Sequence, residues 1–106
     1  LLFSPLATEE IQRMYDEISR MIDCSVKALQ NNDADEAKVV MEEECQINTM
    51  RDRLKNNHTK RLEEGKCNVL SGVVFLDVIS NLEKIGDHLN NVAQAVAQSL
   101  QWNGND

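Results

Sequence analysis

Proline and glycine are scarce in this chain, and that scarcity restricts its fold more than any other feature. One proline and four glycines are spread over 106 residues. Between them, apolar residues recur at every third or fourth position, the spacing that places one apolar stripe along an α-helix. Too few turn-forming residues remain to connect the many short strands of a sandwich or barrel. The pattern therefore predicts an all-α chain.

Two short interruptions divide the periodic sequence into three predicted helices. These run over about 9–30, 34–64 and 68–100. Thr8, Asp33 and Asn68 stand at the expected N-cap positions, where a side-chain oxygen can accept a hydrogen bond from a free amide of the first turn. Glu36 follows Asp33 at the spacing of a capping box. Gly65 has the position after a helix end where a left-handed residue is common.

Each segment carries one predicted inward-facing stripe. In the first segment the stripe is Ile11, Met14, Ile18, Met21, Ser25 and Leu29. In the second it is Ala37, Val40, Glu44, Ile47, Met50 or Arg51, Leu54, His58 and Leu62. In the third it is Phe75, Ile79, Leu82, Gly86, Leu89, Ala93 and Val96. Long helices with short connections run antiparallel. We therefore predict that residues 1–106 form one domain, an antiparallel up-down-up three-helix bundle with helices of spectrin-like length.

The charge of the chain restricts its partners. The formal net charge is −7 and the sequence pI is about 4.7. Binding to a nucleic acid depends mainly on lysine and arginine neutralising phosphates, so we expect no nucleic-acid partner. An acidic surface attracts cations, so metal ions are the partner class that charge permits.

No motif for catalysis or for a structural metal is present. Cys24, Cys45 and Cys67 are widely spaced, without the CxxC or Cys/His spacing of a zinc site and without a disulfide framework. The sequence also lacks a glycine-rich phosphate loop and a nucleophile motif. We therefore predict that the chain is not an enzyme and that its cysteines lie in a reducing compartment.

The N-terminus suggests a piece of a larger protein. No apolar run approaches the roughly 20 residues needed to cross a bilayer. The first residues, Leu1 to Phe3, lack a starting methionine and the basic region of a signal peptide. We expect this chain to be excised from a longer one.

Glu83 and Asp87 are the leading candidate metal ligands. They lie four residues apart, so their carboxylates share one helix face beside the apolar stripe. A bound cation would offset their repulsion and use their oxygens as ligands. Glu44 and Asn48 have the same spacing on the second helix, but asparagine adds no charge, so this second pair is weaker. Spacing alone favours an ordinary acidic helix surface over a metal site.

Other polar residues have simpler interpretations. His58 falls on the stripe of the second helix, and a hydrogen-bonded core or boundary histidine is the favoured reading. His88 points about 100° away from its neighbour Asp87, which makes a joint site awkward. The second helix also has a basic stretch that could dock an acidic partner or pair with Glu63 and Glu64. It comprises Arg51, Arg53, Lys55, Lys60 and Arg61.

The run FLDVISNLEKIGDHLNNVAQAV, residues 75–96, resembles the signature of the PhoU family, N-L-E-(K/R)-I-G-D-H-x-x-N-(I/V)-A. Upstream, an R-L-x-x-G-x-C turn is similar to that of the PhoU-like domain at the C-terminus of bacterial Na⁺/phosphate-cotransporter family proteins. The turn matches at Arg61, Leu62, Gly65 and Cys67. The resemblance is strong over about 42–96 and diffuse over the first helix.

The resemblance implies a three-helix bundle and a surface metal site. Some PhoU proteins bind metal clusters through E/D-x-x-x-D motifs, which Glu83 and Asp87 match. At the corresponding motif of the second helix Glu44 matches, but Asn48 stands where aspartate is expected, which argues against a multinuclear cluster. The expected cofactor is a divalent or trivalent metal such as Mn, Mg, Fe or Zn.

The resemblance also implies a role in phosphate transport. We expect a regulatory domain of a Na⁺/phosphate symporter at the cytoplasmic face of the bacterial inner membrane. It would dock on the membrane-embedded domain of its own parent chain or on a second copy of itself, as a homodimer. Two alternatives stay open at this point. One is a PhoU-type regulator that acts in trans on a transporter or sensor kinase, and the other is a purely structural dimerisation module.

Overall fold

A computed structural model describes residues 3–66 and 68–104, with side chains described up to residue 98. Three helices, α1 (Pro5–Asn31), α2 (Ala34–Glu63) and α3 (Val69–Gly104), make up the described secondary structure. Each helix packs against both others in a rod of 61 × 18 × 16 Å. The predicted all-α three-helix bundle is confirmed.

Helix α1 begins earlier than predicted. Ser4 is its N-cap, and the Ser4 hydroxyl accepts a 3.1 Å hydrogen bond from the amide of Ala7. Pro5 takes the first helical position, where its missing N–H has no intrahelical partner to lose. The prediction that Thr8 caps this helix is wrong, because Thr8 already lies inside it and donates its hydroxyl to the Ser4 carbonyl at 3.1 Å.

The connections between helices follow the predicted chemistry. Asp33 caps α2, its Oδ1 accepting from the amides of Asp35 at 2.9 Å and Glu36 at 3.3 Å. Gly65 follows α2 with φ +70°, a conformation that residues with a Cβ rarely adopt. The side chain of Asn68 accepts from the amide of Ser71 at 2.7 Å and so caps α3. Helix α3 extends past the predicted end at residue 100.

The three stripes form the core, but two predicted members are wrong. Leu29 is 57% exposed and Leu62 is 40% exposed, whereas Ala28 and Arg61 are buried. The buried positions repeat in alternating steps of three and four, the 3.5-residue period of supercoiled helices. After Ser25 and after His58 the next buried position comes three residues later, so Ala28 and Arg61 are buried.

Residues from all three helices fill the centre of the bundle. The fully buried ones with the largest side chains are Phe75, Met14, Met21, Ile47, Ile79, Val40 and Ser25. In the described part of the chain, no helix combines the length and the apolarity that a membrane span requires.

Candidate functional site

Glycine brings α3 close to α2 beside the predicted metal ligands. Gly86 lies between Glu83 and Asp87 in the sequence and is buried. A Cβ at this position would lie 3.0 Å from Oε2 of Glu44. The same Cβ would lie 3.4 Å from Ile18 and 3.5 Å from Ile47. The absence of a side chain at Gly86 therefore lets α3 pack against the Glu44 carboxyl group.

Glu44 is the buried member of this group, which we call the acidic cluster: Glu44, Asn48, Glu83 and Asp87. Glu44 is only 7% exposed, and its Oε2 has no hydrogen-bond partner among the described residues. Burial, followed by the neighbouring carboxyl of Asp87, raises the pKa of Glu44 to about 7. The charge of Glu83 acts in the same direction, while a hydrogen bond with Asn48 opposes it.

Glu83 is bound to an arginine of the neighbouring helix. Nη1 of Arg51 donates to Oε2 of Glu83, and Nε of Arg51 donates to Oδ1 of Asp52 at 3.0 Å. The side chains of Arg51 and Glu83 are 26% and 21% exposed. The cation therefore neutralises the carboxylate closest to it and leaves Glu44 and Asp87 facing each other.

The structure thus brings the two predicted pairs together across α2 and α3. Glu44 and Asn48 come from α2, and Glu83 and Asp87 come from α3. Carboxyl and amide oxygens meet here, and Oε2 of Glu44 is a buried acceptor. Among the described residues, however, no three or more His, Cys, Asp or Glu side chains are grouped closely enough to hold a metal ion.

A second polar group, which we call the arginine cluster, lies toward one end of the bundle: Glu10, Asn57, His58 and Arg61. Nη1 of Arg61 donates to Oε1 of Glu10 at 2.7 Å, and Asn57 donates to Oε2 of Glu10 at 2.8 Å. Both partners of the ion pair are 9% exposed at the side chain. Pairing with Glu63 and Glu64 was one of two interpretations of the basic stretch on α2. In the structure, Arg51 of this stretch binds Glu83 of α3 and Arg61 binds Glu10 of α1.

Aromatic stacking holds the arginine cluster against α3. The ring of His58 stacks on Phe75 with centroids 5.5 Å apart, and the guanidinium of Arg61 lies 5.2 Å from the centroid of the same ring. Burial and the charge of Arg61 lower the pKa of His58. Gly72 leaves room for the histidine, since a Cβ there would lie 2.5 Å from its Cε1.

The remaining candidates belong to neither cluster. His88 is exposed on α3. Cys24 is partly buried, and burial raises the pKa of its thiol, while Cys45 is exposed. Cys67, the last residue of the turn motif, lies outside the described residues. The arginine cluster was not predicted from the sequence. The heptad pattern continues by three residues from His58 and so reaches Arg61, but a charged residue was not expected at a buried position.

The PhoU domain matches residues 11–96 of the chain. The chain is also 24% identical over 88 residues to the phosphate-specific transport system accessory protein PhoU homolog 1 of Thermotoga maritima. That alignment covers 83% of this chain and 38% of the relative, so the chain spans well under half of the relative's length. No solved structure matches.

Proposed function

The chain belongs to the PhoU domain family, and from this membership we propose that it is a regulatory docking domain of phosphate uptake. The observation that carries the proposal is the family match over residues 11–96, which covers all of α2 and most of α1 and α3. The name of the Thermotoga relative, an accessory protein of phosphate transport, supports the same role. Connections of a few residues between long helices leave little loop material for a catalytic pocket.

The proposed context is the cytoplasmic domain of a Na⁺/phosphate cotransporter, attached to a membrane-embedded domain of the same parent chain. The R-L-x-x-G-x-C turn supports this context. Its Arg61 is buried in the interface with α1, and its Gly65 has the positive φ that ends α2. In this role the bundle would dock on the membrane domain, or on a second copy of itself, and set the rate of uptake.

The second candidate is a PhoU-type regulator that acts in trans on a separate phosphate transporter. The Thermotoga relative favours it, because that protein is named as an accessory of a transport system and not as part of a cotransporter. In this role the domain would bind its transporter reversibly from solution.

Uptake of labelled phosphate by cells that express the parent gene separates the two contexts. A cotransporter domain predicts sodium-dependent uptake by the parent protein alone. In-frame deletion of the codons for residues 1–106 should then leave uptake sodium-dependent. The same deletion should abolish the response of uptake to external phosphate. If the parent protein carries no uptake and its gene encodes no multi-span region upstream of Leu1, the cotransporter context is wrong. Unchanged regulation after the deletion would contradict both docking roles.

A metal ion at the acidic cluster stays a prediction. Glu44 and Asp87, with the Asn48 carbonyl, would be its ligands, because Arg51 already neutralises Glu83. The buried Oε2 of Glu44, which lacks a partner, suits a cation. The site has few donors, so a single weakly held ion fits it better than a multinuclear cluster.

Calorimetric titration with Mn²⁺, Mg²⁺, Fe³⁺ and Zn²⁺ tests the metal site. The Glu44→Gln and Asp87→Asn variants should lose the binding heat of the wild type. Asp77 is an exposed residue on α3, the helix of Asp87, and Asp77→Asn provides the matched control. Equal heats for all four proteins would remove the metal from the proposal and leave docking untouched.

A further inference from the structure

A cavity opens at the end of the bundle where α1 begins, α2 ends and α3 begins. Its volume is about 420 Å³, within the range of pockets that accept small organic ligands. It is separate from the acidic cluster. The lining residues that matter here are Phe3, His58, Arg61, Lys66, Ser71 and Phe75.

Two buried donors on the wall of this cavity lack acceptors among the described residues. Arg61 is 8% exposed, and while its Nη1 is bound to Glu10, its Nη2 has no partner. Ser71 is 5% exposed, and its hydroxyl has no partner. Buried donors are nearly always paired, because leaving one unpaired destabilises the fold. Two unpaired donors in one cavity therefore indicate an acceptor that occupies it.

The nearby charges favour an acceptor that is an anion. Ser71 lies in the first turn of α3, where the helix dipole attracts negative charge. The ammonium of Lys66 pairs with exposed Glu64, a surface contact that exchanges easily. The carboxylate of Glu10 accepts from Nη1 of Arg61 and from Asn57 but makes no hydrogen bond to Nη2 of Arg61.

We propose that this cavity binds a phosphate group, either as free phosphate or as the phosphate of a small organic monoester. A tetrahedral oxyanion has several acceptor oxygens, which suits donors that converge from Arg61, Ser71 and Lys66. The edge-to-face rings of Phe3 and Phe75, 6.2 Å apart, provide an apolar wall for the organic part of a monoester. The inference rests on this cavity and does not depend on the docking role.

Amide chemical shifts of the whole chain, titrated with inorganic phosphate and with phenyl phosphate, test the proposal. Both probes should shift the amides of Ser71 and Gly72, and phenyl phosphate should bind more tightly if monoesters are the source. Ser71→Ala should weaken binding about tenfold, as expected for loss of a hydrogen bond to a charged group. Lys66→Met should weaken it about threefold, as for an exposed charge.

Two matched variants control for stability and net charge. Ser80→Ala removes a partly buried hydroxyl of α3 outside the cavity, and Lys55→Met removes an exposed charge of α2. Both should bind the probes as the wild type does. Uncharged phenol, binding as tightly as phenyl phosphate, would show an apolar pocket and overturn the proposal. So would the absence of shifts with both probes, or unchanged affinity in folded Ser71→Ala and Lys66→Met variants.

Discussion

The acidic cluster and the arginine cluster have the same backbone arrangement but differ in their electrostatics. In each, a glycine of α3 faces a long polar side chain of α2: Gly86 faces Glu44, and Gly72 faces His58. The two pairs lie two heptads apart on each helix, so one antiparallel register produces both. Glycine at these points lets the helices approach and moves a polar group into the interface.

What differs is how completely the charges are compensated. In the arginine cluster one buried cation meets one buried carboxylate, whose second oxygen is bound by Asn57. In the acidic cluster three carboxyl groups share one arginine, and that arginine binds Glu83. The arginine cluster therefore contributes to holding α1 and α2 together, whereas the acidic cluster destabilises the fold when all its groups are ionised. That contrast predicts which substitutions are costly and which are mild.

The largest effect is expected from Glu10→Ala. It leaves the buried guanidinium of Arg61 without its counter-ion, and breaking a buried pair in this way costs about 3–5 kcal/mol. Glu9→Ala is the matched control, since it removes a neighbouring carboxylate whose partner Arg13 is exposed. That control should cost less than about 0.5 kcal/mol. Urea unfolding of both variants measures the difference, and equal costs would show that burial of the Glu10 pair contributes nothing.

The next largest effect is expected from alanine substitutions at the two glycines, which should differ in their cost to stability. At Gly72 the new Cβ would lie 2.5 Å from a histidine ring that Phe75 holds in place, and overpacking of this kind costs about 1–3 kcal/mol. At Gly86 the nearest atom, 3.0 Å away, ends a more flexible side chain. Both substitutions gain about 1 kcal/mol in helix propensity, which should nearly cancel the smaller strain at Gly86 but not the strain at Gly72. Thermal unfolding should rank Gly72→Ala well below Gly86→Ala, and the reverse order would contradict the comparison.

The heptad period explains what could be predicted from sequence and what could not. Helix number and the caps at Asp33 and Asn68 follow from local chemistry, which a single sequence displays. The errors at Leu29 and Leu62 arose where the stripe was extended by four residues, while the supercoil required three. The pairing of Arg51 with Glu83 and the cavity beside Ser71 depend on the register between helices and on side-chain rotamers. Neither is visible in the period of one helix.

The acidic cluster should make the stability of the fold depend on pH. The pKa of Glu44 rises from 4.5 to about 7 on folding, so the folded state binds more protons than the unfolded state between these values. Stability due to this group is therefore lost as pH rises from about 4.5 to about 7, and is constant outside that window. The loss should be roughly 1–3 kcal/mol.

Glu44→Gln provides the test of that dependence. The amide keeps the shape of the side chain but does not ionise, so the variant should gain stability relative to the wild type as pH rises from 4.5 to 7. Burial also raises the pKa of Glu43, but that contribution is present in both proteins and cancels in the difference. Urea unfolding across this pH range measures it. A constant difference between the two proteins would mean that folding does not raise the pKa of Glu44.

The smallest effect concerns the ion pair between Arg51 of α2 and Glu83 of the acidic cluster. Because Arg51 and Glu83 are each about a quarter exposed, water screens the pair. A double-mutant cycle with Arg51→Met and Glu83→Gln should give a coupling free energy of about 0.5–1 kcal/mol, decreasing in 1 M salt. Arg51→Met alone should also leave Glu83 negative beside Glu44 and raise the pKa of Glu44 further, which extends the pH window upward. A salt-independent coupling as large as that expected for Glu10 and Arg61 would mean that both clusters are equally desolvated, and the contrast between them would fail.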